Sequence, residues 1–137
     1  MQIRVLRSGD DRLVMAASHL FDEPAKPEAT ARFLEESGHH LLLAYEDERP
    51  VGFVSGVEVT HPDKGTEMFL YELAVEESFQ GRGIGRALVE RLAALAGDAG
   101  CYGMWVVTDD TNHAARATYE GTGGVARTDQ VLEVWTF

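Results

Sequence analysis

A chain of 137 residues, 45% of them apolar, is long enough for one domain with a buried core, and no run in it approaches the roughly 20 apolar residues of a membrane span. The net charge of −11 argues against nucleic acid as a partner and favours a cationic one, although acidity for solubility alone gives the same charge. The single cysteine, Cys101, excludes an internal disulfide and suits a reducing cytoplasm. We therefore expect one cytoplasmic domain, residues 1–137, without nucleic-acid or membrane partners.

The first half of the chain predicts two helices and an antiparallel hairpin. Apolar residues recur at helical spacing over 13–21, and Pro24 stops that helix. Two strands flank the acidic turn at 46–50, and Gly52 and Gly56 in the second strand predict a bulge or a close backbone approach. The predicted elements are strands at 3–7, 40–45 and 51–59, and helices at 13–21 and 27–38.

The centre of the chain carries an acid-bearing strand, a glycine-rich turn and a helix in direct succession. The strand is 71–75, with Glu72 inside it, and the turn is 80–86. A strand that breaks into such a turn before a helix presents free backbone N–H groups, and the helix dipole adds partial positive charge. This arrangement predicts a site for an anion, most naturally a phosphate. The helix places four apolar residues on one face, namely Ile84, Leu88, Leu92 and Leu95.

Basic residues concentrate around this turn, whereas acids prevail elsewhere. Four of the twelve basic residues are Arg82, Arg86, Arg91 and Arg116. One basic island in an acidic molecule suits an anionic cofactor beside a cationic acceptor. A Walker loop is excluded because Gly85 is followed by Arg86, and a dinucleotide fingerprint would need a third glycine where Arg86 stands.

The second half of the chain completes an alternation of strands and helices. It predicts a strand at 102–108, a short helix through Tyr119 and a closing hairpin over 125–137. The resulting order, β-α-α-β-β-β-α-β-α-β-β, predicts an α/β (α+β) domain. Its central sheet is mixed but mostly antiparallel and is flanked by about four helices.

The turn Gln80-Gly81-Arg82-Gly83-Ile84-Gly85 resembles the Gln/Arg-x-x-Gly-x-Gly/Ala pyrophosphate loop of the GNAT superfamily of acetyl-CoA-dependent N-acetyltransferases. The stretch 72–75 resembles the cofactor strand of that superfamily, and the element order matches its fold over essentially the whole chain. The resemblance implies that acetyl-CoA is the cofactor and that backbone groups of the strand hydrogen-bond its pantetheine arm. The residues implied in cofactor binding are Leu73, Ala74, Val75, Gln80, Gly81, Arg82, Gly83, Ile84, Gly85, Arg86, Asn112, Ala115 and Arg116.

A second stretch, 112–119, resembles the Asn-x-x-Ala-x-x-Leu-Tyr segment of the superfamily, with Thr118 in place of the leucine. By this resemblance, Asn112 and Arg116 lie along the cofactor, and the Tyr119 hydroxyl lies near the thioester sulfur. A phenol there can protonate the departing thiolate and stabilise the charge that builds on it. The alternative for Tyr119 is a core tyrosine with a satisfied hydroxyl.

Glu72 is the candidate general base. A primary amine is protonated at neutral pH, and a carboxylate that faces the thioester can take its proton directly or through a water. Strand alternation places Glu72 and Ala74 on one face, and Tyr71 and Leu73 on the other. A salt bridge to a nearby arginine is the alternative reason for a glutamate in an apolar strand.

Three stretches, 20–23, 69–75 and 106–110, resemble the short aminoglycoside 3-N-acetyltransferases of the gentamicin-resistance type. Those enzymes carry Tyr-Asp-Leu-Ala-Val at the position of 71–75, so glutamate replaces aspartate here and lengthens the arm. The resemblance implies acetylation of the 3-amino group of an aminoglycoside, which confers antibiotic resistance. The residues implied in binding the cationic acceptor are Asp22, Glu23, Tyr71, Asp109 and Asp110, with solvated or helix-capping acids as the alternative.

Two other functions stay open at this point. The acceptor could be another small amine or a protein N-terminus, or the chain could bind acyl-CoA without catalysis. The five histidines form no metal-ligand pattern, so no metal is expected. A homodimer is expected from the similar proteins, and the aromatic residues Trp105, Trp135 and Phe137 suit either an interface or the core.

Overall fold

A computed structural model describes residues 1–137 as a five-stranded sheet with helices on both faces. The sheet order follows the chain, and all neighbouring strands are antiparallel except the last pair, which is parallel. This architecture confirms the predicted α/β fold with a mixed, mostly antiparallel sheet. The strands are β1 (Gln2–Val5), β2 (His39–Glu46), β3 (Arg49–His61), β4 (Gly65–Val75) and β5 (Met104–Trp105), and the helices are α1 (Asp11–Ala16), α2 (Pro27–Glu35), α3 (Ile84–Asp98) and α4 (His113–Gly121).

The sheet is buried on both faces by two separate apolar clusters. On one face α3 packs against the sheet, and on the other face α1 and α2 do so. In β2, Leu42 belongs to the α3 cluster, whereas Leu41 and Leu43 belong to the α1 cluster. A strand that is covered on both sides needs a continuous apolar run, which explains the sequence of β2.

The α3 helix packs closely onto β3, as the glycines of that strand predict. Ile84, Leu88 and Leu92 are almost fully buried along one face of α3, and the strand runs directly beneath them. A Cβ atom on Gly56 would lie 2.8 Å from the Met68 sulfur and 3.0 Å from a Leu92 methyl carbon. The predicted close backbone approach at Gly56 is therefore confirmed.

A β-bulge at Tyr71 changes which side chains of β4 face which cluster. Ser55 of β3 pairs with Glu72 and Gly56 pairs with Leu70, so Tyr71 is the extra residue. Before the bulge, Met68 and Leu70 belong to the α3 cluster, whereas after it Leu73 and Val75 pack there. The bulge thereby turns Glu72 and Ala74 to the α1/α2 face. The residues compared are Ser55, Gly56, Met68, Leu70, Tyr71, Glu72, Leu73, Ala74 and Val75.

Several predicted boundaries are wrong. The first helix ends at Ala16 and continues only as a 3₁₀ turn, Ser18–Leu20, and the second ends at Glu35 rather than 38. The strand predicted at 102–108 is confined to β5, because the chain diverges from β4 after Trp105. The closing hairpin over 125–137 is also wrong, since the segment forms no strand. None of the helices combines the length and the apolar character that a bilayer crossing needs.

Candidate active site

The parallel pair β4–β5 opens after two residue pairs. Met68 pairs with Met104 and Phe69 with Trp105, and from Leu70 onward β4 has no partner on this side. Beyond the bulge, the Glu76 N–H donates to Val51 of β3, at 2.8 Å, so by strand alternation the backbone groups of Leu73 and Val75 point into the gap. The Gln80 side chain donates to the Val75 carbonyl oxygen at 2.9 Å and so lies at the mouth of the gap.

The turn between β4 and α3 exposes a row of backbone donors. The six N–H groups of residues 81–86 donate to no acceptor within the chain, and regular helical bonding resumes when Ala87 donates to Gly83. Gly81 and Gly83 have left-handed φ values of 77° and 83°, which let the peptide units turn their N–H groups the same way. Because the N-terminal end of α3 adds partial positive charge, the turn fits a diphosphate.

The arginines around this turn differ in how far neighbouring acids compensate their charge. Arg86 pairs with Glu90 at 2.8 Å, and Arg116 pairs with Glu120 at 3.5 Å. Arg82 has no carboxylate partner, and its guanidinium lies 4.9 Å from the centre of the Phe79 ring. Arg82 is therefore the uncompensated cation within the turn, and Arg91 of α3 likewise forms no ion pair.

A cavity of about 620 Å³ lies on the other face of the sheet, between β4 and the α1–α2 connection. Four predicted residues, Asp22, Glu23, Tyr71 and Glu72, line it together, and Lys26 is the only cation among the lining residues. The prediction that Tyr71 lies on the opposite face from Glu72 is wrong, because Tyr71 is the bulge residue. The structure thus brings three carboxylates to one cavity.

The pKa of Glu72 is raised above its ordinary value, first by burial and second by the negative charge of Asp22. No arginine pairs with Glu72, so the predicted alternative of a salt bridge is not present. The Glu72 N–H donates to the Ser55 hydroxyl at 3.2 Å, which fixes the backbone beside the bulge. Sequence reasoning missed Ser55, although a buried serine within the apolar run of β3 is an unusual feature.

The residues before and within α4 are used differently. The Asn112 side chain accepts a hydrogen bond from the Ala115 N–H at 3.1 Å, which makes Asn112 the N-cap of α4. Asp109 and Asp110 do not line the acid-bearing cavity, and their backbone carbonyls accept hydrogen bonds from Asn112 and Arg116. The structure therefore does not bring these two aspartates together with Glu72.

Tyr119 lies on α4, half-buried against the α3 cluster. It lines a second cavity of about 350 Å³ between α3, α4 and β5, and burial raises the pKa of its hydroxyl. Glu72 and Tyr119 therefore line different cavities, with β4 contributing to both. No group of three or more His, Cys, Asp or Glu side chains is arranged to hold a metal ion.

Solved structures share this fold over nearly their whole length. An aminoglycoside acetyltransferase, meta-AAC0020, from an uncultured soil metagenomic sample in complex with sisomicin, has a TM-score of 0.90 and 19% identity over 99% of this chain and 95% of its own. The aminoglycoside N-acetyltransferase AAC(6')-Iy in complex with CoA has a TM-score of 0.78 and 19% identity, with 98% and 93% covered. A ribosomal-protein-alanine N-acetyltransferase from Brucella melitensis biovar Abortus 2308 has a TM-score of 0.74 and 22% identity, with both chains covered completely.

Sequence comparison points in the same direction. N-acetyltransferase 8B from Homo sapiens is 27% identical over 107 residues, and the protein of that name from Rattus norvegicus is 30% identical over 95 residues. These matches cover 77% and 69% of this chain but 47% and 43% of the relatives, so the chain spans less than half their length. The sequence pattern of the acetyltransferase (GNAT) family, whose members use acetyl-CoA, matches residues 10–123. The chain therefore belongs to the acetyltransferase (GNAT) family.

Proposed function

We propose that the protein transfers an acetyl group from acetyl-CoA to a primary amine of a small polycationic acceptor, in first place the 3-amino group of an aminoglycoside. The observation that carries this proposal is the acid-lined cavity, where Asp22, Glu23 and Glu72 share the lining with a single cation, Lys26. An acceptor with several ammonium groups suits this cavity because the carboxylates would compensate its charge.

The residues around the β4–β5 gap would hold the cofactor, which supplies the acetyl group as a thioester. The free amides of residues 81–86 and the uncompensated Arg82 suit its diphosphate. The backbone of Leu73 and Val75 can hydrogen-bond an extended arm in the way that an added strand does. The remaining cofactor residues in this proposal are Ala74, Gln80, Arg86, Asn112, Ala115 and Arg116.

Glu72 acts in this proposal as the base that removes a proton from the acceptor ammonium group, directly or through a water. Its raised pKa supports the role, since a general base works best when its pKa approaches the operating pH. Asp22 has two effects here, because its charge both attracts the acceptor and raises the pKa of Glu72. Tyr71, beside Glu72 in the cavity, would contact the acceptor.

Tyr119 acts as the acid that donates the hydroxyl proton to the leaving sulfur. Burial raises the pKa of this hydroxyl and keeps it protonated at neutral pH. Because Tyr119 and Glu72 line different cavities, the reacting groups would have to lie between them, in the gap beside β4. We expect Tyr119→Phe to lower kcat by about 10²- to 10⁴-fold with little change in KM for the amine, measured by thiol release. If a double variant that carries both Tyr119→Phe and Glu72→Gln has the kcat of the natural protein, both roles are rejected.

The acceptor is tested with the purified full chain, acetyl-CoA and a panel of amines. The panel contains aminoglycosides, among them gentamicin and sisomicin, together with polyamines and peptides with free N-termini. The likeness to a fold solved with sisomicin bound supports the aminoglycosides as first choice. We expect an acetyl group on the 3-amino nitrogen, located by NMR of the product, and protection of a host that expresses the protein. Acetylation at the 6'-nitrogen would show that the 3-amino position is wrong. The absence of acetylation of every aminoglycoside would overturn the proposal that aminoglycosides are the acceptors.

A second candidate acceptor is a protein N-terminus. The likeness to the fold of a ribosomal-protein-alanine N-acetyltransferase favours it, and the same panel detects it through the peptides. Tight binding of CoA without acetylation of any amine would instead indicate an acyl-CoA-binding module. We propose the cytoplasm as the location, since a chain with the single cysteine Cys101 suits a reducing compartment.

A further inference from the structure

Three aromatic side chains lie side by side on the sheet face that carries the acid-lined cavity. The Phe69 ring stacks on the Trp105 ring with the ring centres 4.2 Å apart, and it makes an edge-to-face contact with the Tyr71 ring at 5.6 Å between centres. Met68 and Leu70 belong to the α3 cluster, so strand alternation directs Phe69 to the opposite face. We call Phe69, Tyr71 and Trp105 the aromatic shelf.

The aromatic shelf belongs to neither apolar cluster. The strand residues buried in the α1 cluster come from β2 and β3, and the shelf beyond them is left open, with Tyr71 60% and Trp105 42% exposed. A cross-strand aromatic pair stabilises a sheet, which accounts for Phe69 and Trp105 but not for Tyr71, the unpaired bulge residue. Exposed aromatic surface that continues from a cavity indicates a binding site.

Tyr71 joins the shelf to the acid-lined cavity. It lines this cavity beside Glu72, and its ring contacts Phe69 of the shelf. The bulge makes both roles available to one residue, because it places Tyr71 on the same face as Glu72. A molecule that fills the cavity and extends past Tyr71 toward β5 would therefore meet Phe69 and Trp105.

An acid lies at the other end of the shelf. Glu67 precedes Phe69 by two residues and shares its face by strand alternation. Its carboxylate accepts a hydrogen bond from the Tyr102 hydroxyl at 3.1 Å, and no lysine or arginine pairs with it. The five residues from Glu67 to Glu72 span about 16 Å of strand, which is longer than one sugar ring. The shelf thus lies between two acidic ends.

This combination of rings and acids selects the chemistry of the ligand. A sugar ring carries C–H groups on its faces and polar groups around its rim, so one face can cover an aromatic ring while the rim stays polar. Ammonium groups on that rim are attracted both by the aromatic faces and by carboxylates. Rigid tyrosine and tryptophan side chains also lose little conformational entropy on contact. An anionic ligand, by contrast, would be repelled by both acidic ends.

We propose that the aromatic shelf is a second subsite for the acceptor, on which an aminated sugar ring next to the reacting ring lies with its face on Trp105 and Phe69 and its ammonium groups toward Glu67. This inference rests on the proposed function, because it needs the reacting ring of the same acceptor in the acid-lined cavity. It adds that acceptors with two or more linked rings are preferred, since a single ring fills the cavity alone.

The first test compares two acceptors that present the same reacting amine. Sisomicin has three linked rings, and 2-deoxystreptamine is the single ring that carries the 3-amino group. We expect Trp105→Ala to raise KM for sisomicin about 5- to 30-fold with kcat unchanged, because the shelf binds the ground state and the transition state equally. The kcat/KM for 2-deoxystreptamine should stay within about twofold of that of the natural protein. An unchanged KM for sisomicin in Trp105→Ala overturns the proposal.

Matched variants separate loss of the subsite from damage to the fold. Trp105→Phe keeps a ring on the shelf and should stay within about threefold of the natural KM for sisomicin. Trp135→Ala removes an exposed tryptophan outside the shelf and should leave the kinetics of both acceptors unaffected. Because Trp105 also lines the cavity of Tyr119, a kcat that falls for both acceptors in Trp105→Ala would show an effect on that cavity and overturn the subsite.

The second test observes the shelf without turnover. Trp135→Phe leaves Trp105 as the only tryptophan, and CoA replaces acetyl-CoA so that no acetyl group is transferred. We expect acrylamide to quench the Trp105 emission in the protein without acceptor, and saturating sisomicin, but not 2-deoxystreptamine, to protect it. Protection that is already present before the acceptor is added would show that protein covers the shelf and would overturn the proposal.

Calorimetry on the same solutions distinguishes failure of this inference from failure of the proposed function. If sisomicin binds and is acetylated while Trp105 stays accessible to acrylamide, the shelf is not a subsite, but the proposed function stands. If no aminoglycoside binds, the proposed function and the subsite are both overturned.

Discussion

The left-handed conformation of Gly83 can be tested by replacing it with alanine. Gly83 precedes the first residue of α3 with φ at 83°, and a Cβ atom there would meet no atom within 4 Å. The cost of Gly83→Ala therefore comes from the backbone alone. Gly85→Ala is the matched control, since Gly85 lies in the first turn of α3 and its Cβ would make ordinary contacts, the nearest 3.7 Å from Val75.

The expected magnitude is a difference between these two variants. Both alanines lower the entropy of the unfolded chain equally, which stabilises the protein by about 0.4–1 kcal/mol in each case. Only Gly83→Ala must hold a Cβ in the left-handed region, which costs about 1–2 kcal/mol. We therefore expect Gly83→Ala to have a free energy of unfolding about 1–2 kcal/mol below that of Gly85→Ala, or a Tm about 3–10 °C lower.

Denaturant unfolding followed by circular dichroism measures the stability, and titration calorimetry measures the affinity for CoA. If the backbone at Gly83→Ala relaxes to avoid the strain, the loss of stability becomes smaller, but the free N–H groups of residues 81–86 turn away from the diphosphate site. Loss of one charge-assisted hydrogen bond, about 1.5–3 kcal/mol, then weakens CoA binding about tenfold or more. The reasoning is refuted if Gly83→Ala equals Gly85→Ala in both stability and CoA affinity.

Three further predictions concern the cavity and the core. Glu72→Gln should lower kcat by about 10²- to 10⁴-fold. Because the pKa of Glu72 is raised in the folded state, the variant should also have a higher melting temperature than the natural protein at neutral pH, and this difference should vanish below the ordinary carboxyl pKa. A difference that grows toward acid pH would contradict the direction of the pKa shift. Asp22→Asn should shift the acidic limb of the pH–rate profile to lower pH, since it removes a charge that raises the pKa of Glu72, and an unmoved limb would rule out this coupling. Gly56→Ala should destabilise the protein by about 1–3 kcal/mol because its Cβ would clash with Leu92. Gly97→Ala, which has open space around it in α3, should instead stabilise the protein by about 0.5–1 kcal/mol. Equal melting temperatures of the two variants would contradict the described packing.

The sequence predicts the structure best where interactions between residues close in the chain determine it. The turn at 80–86 and the buried face of α3 follow from glycine spacing and helical periodicity, which act over a few residues. The close approach at Gly56 was also predictable, because a glycine inside an apolar strand leaves space that a neighbouring element can fill. The acid-bearing strand and the acids after the first helix were identified by residue type, and the fold then brought them into one cavity.

The errors arose where contacts between distant residues decide the outcome. The β5 strand is short because its length depends on where it diverges from β4, which local propensity does not encode. The alternating pattern of 125–137 predicts a hairpin, but the structure forms no strand there, because the pattern carries no information about whether a sheet edge is available to pair with it. The bulge at Tyr71 depends on the register between β3 and β4, so simple alternation put Tyr71 on the wrong face.

Because Tyr71 of β4 has no partner on β3, the face on which the Glu72 carboxylate lies depends on the pairing register between these strands. If Tyr71 were paired with β3 in regular alternation, Glu72 would lie on the face of Leu70, in the apolar layer under α3, although every side chain of the site would still be present. Deletion of Tyr71, by contrast, would restore regular pairing and keep Glu72 opposite Ser55, on the cavity face. An insertion or deletion in this strand would therefore leave the carboxylate in the cavity only if Glu72 still paired with Ser55. Related sequences that share a glutamate at this place can be compared in function only when that glutamate pairs with the position of Ser55 on β3.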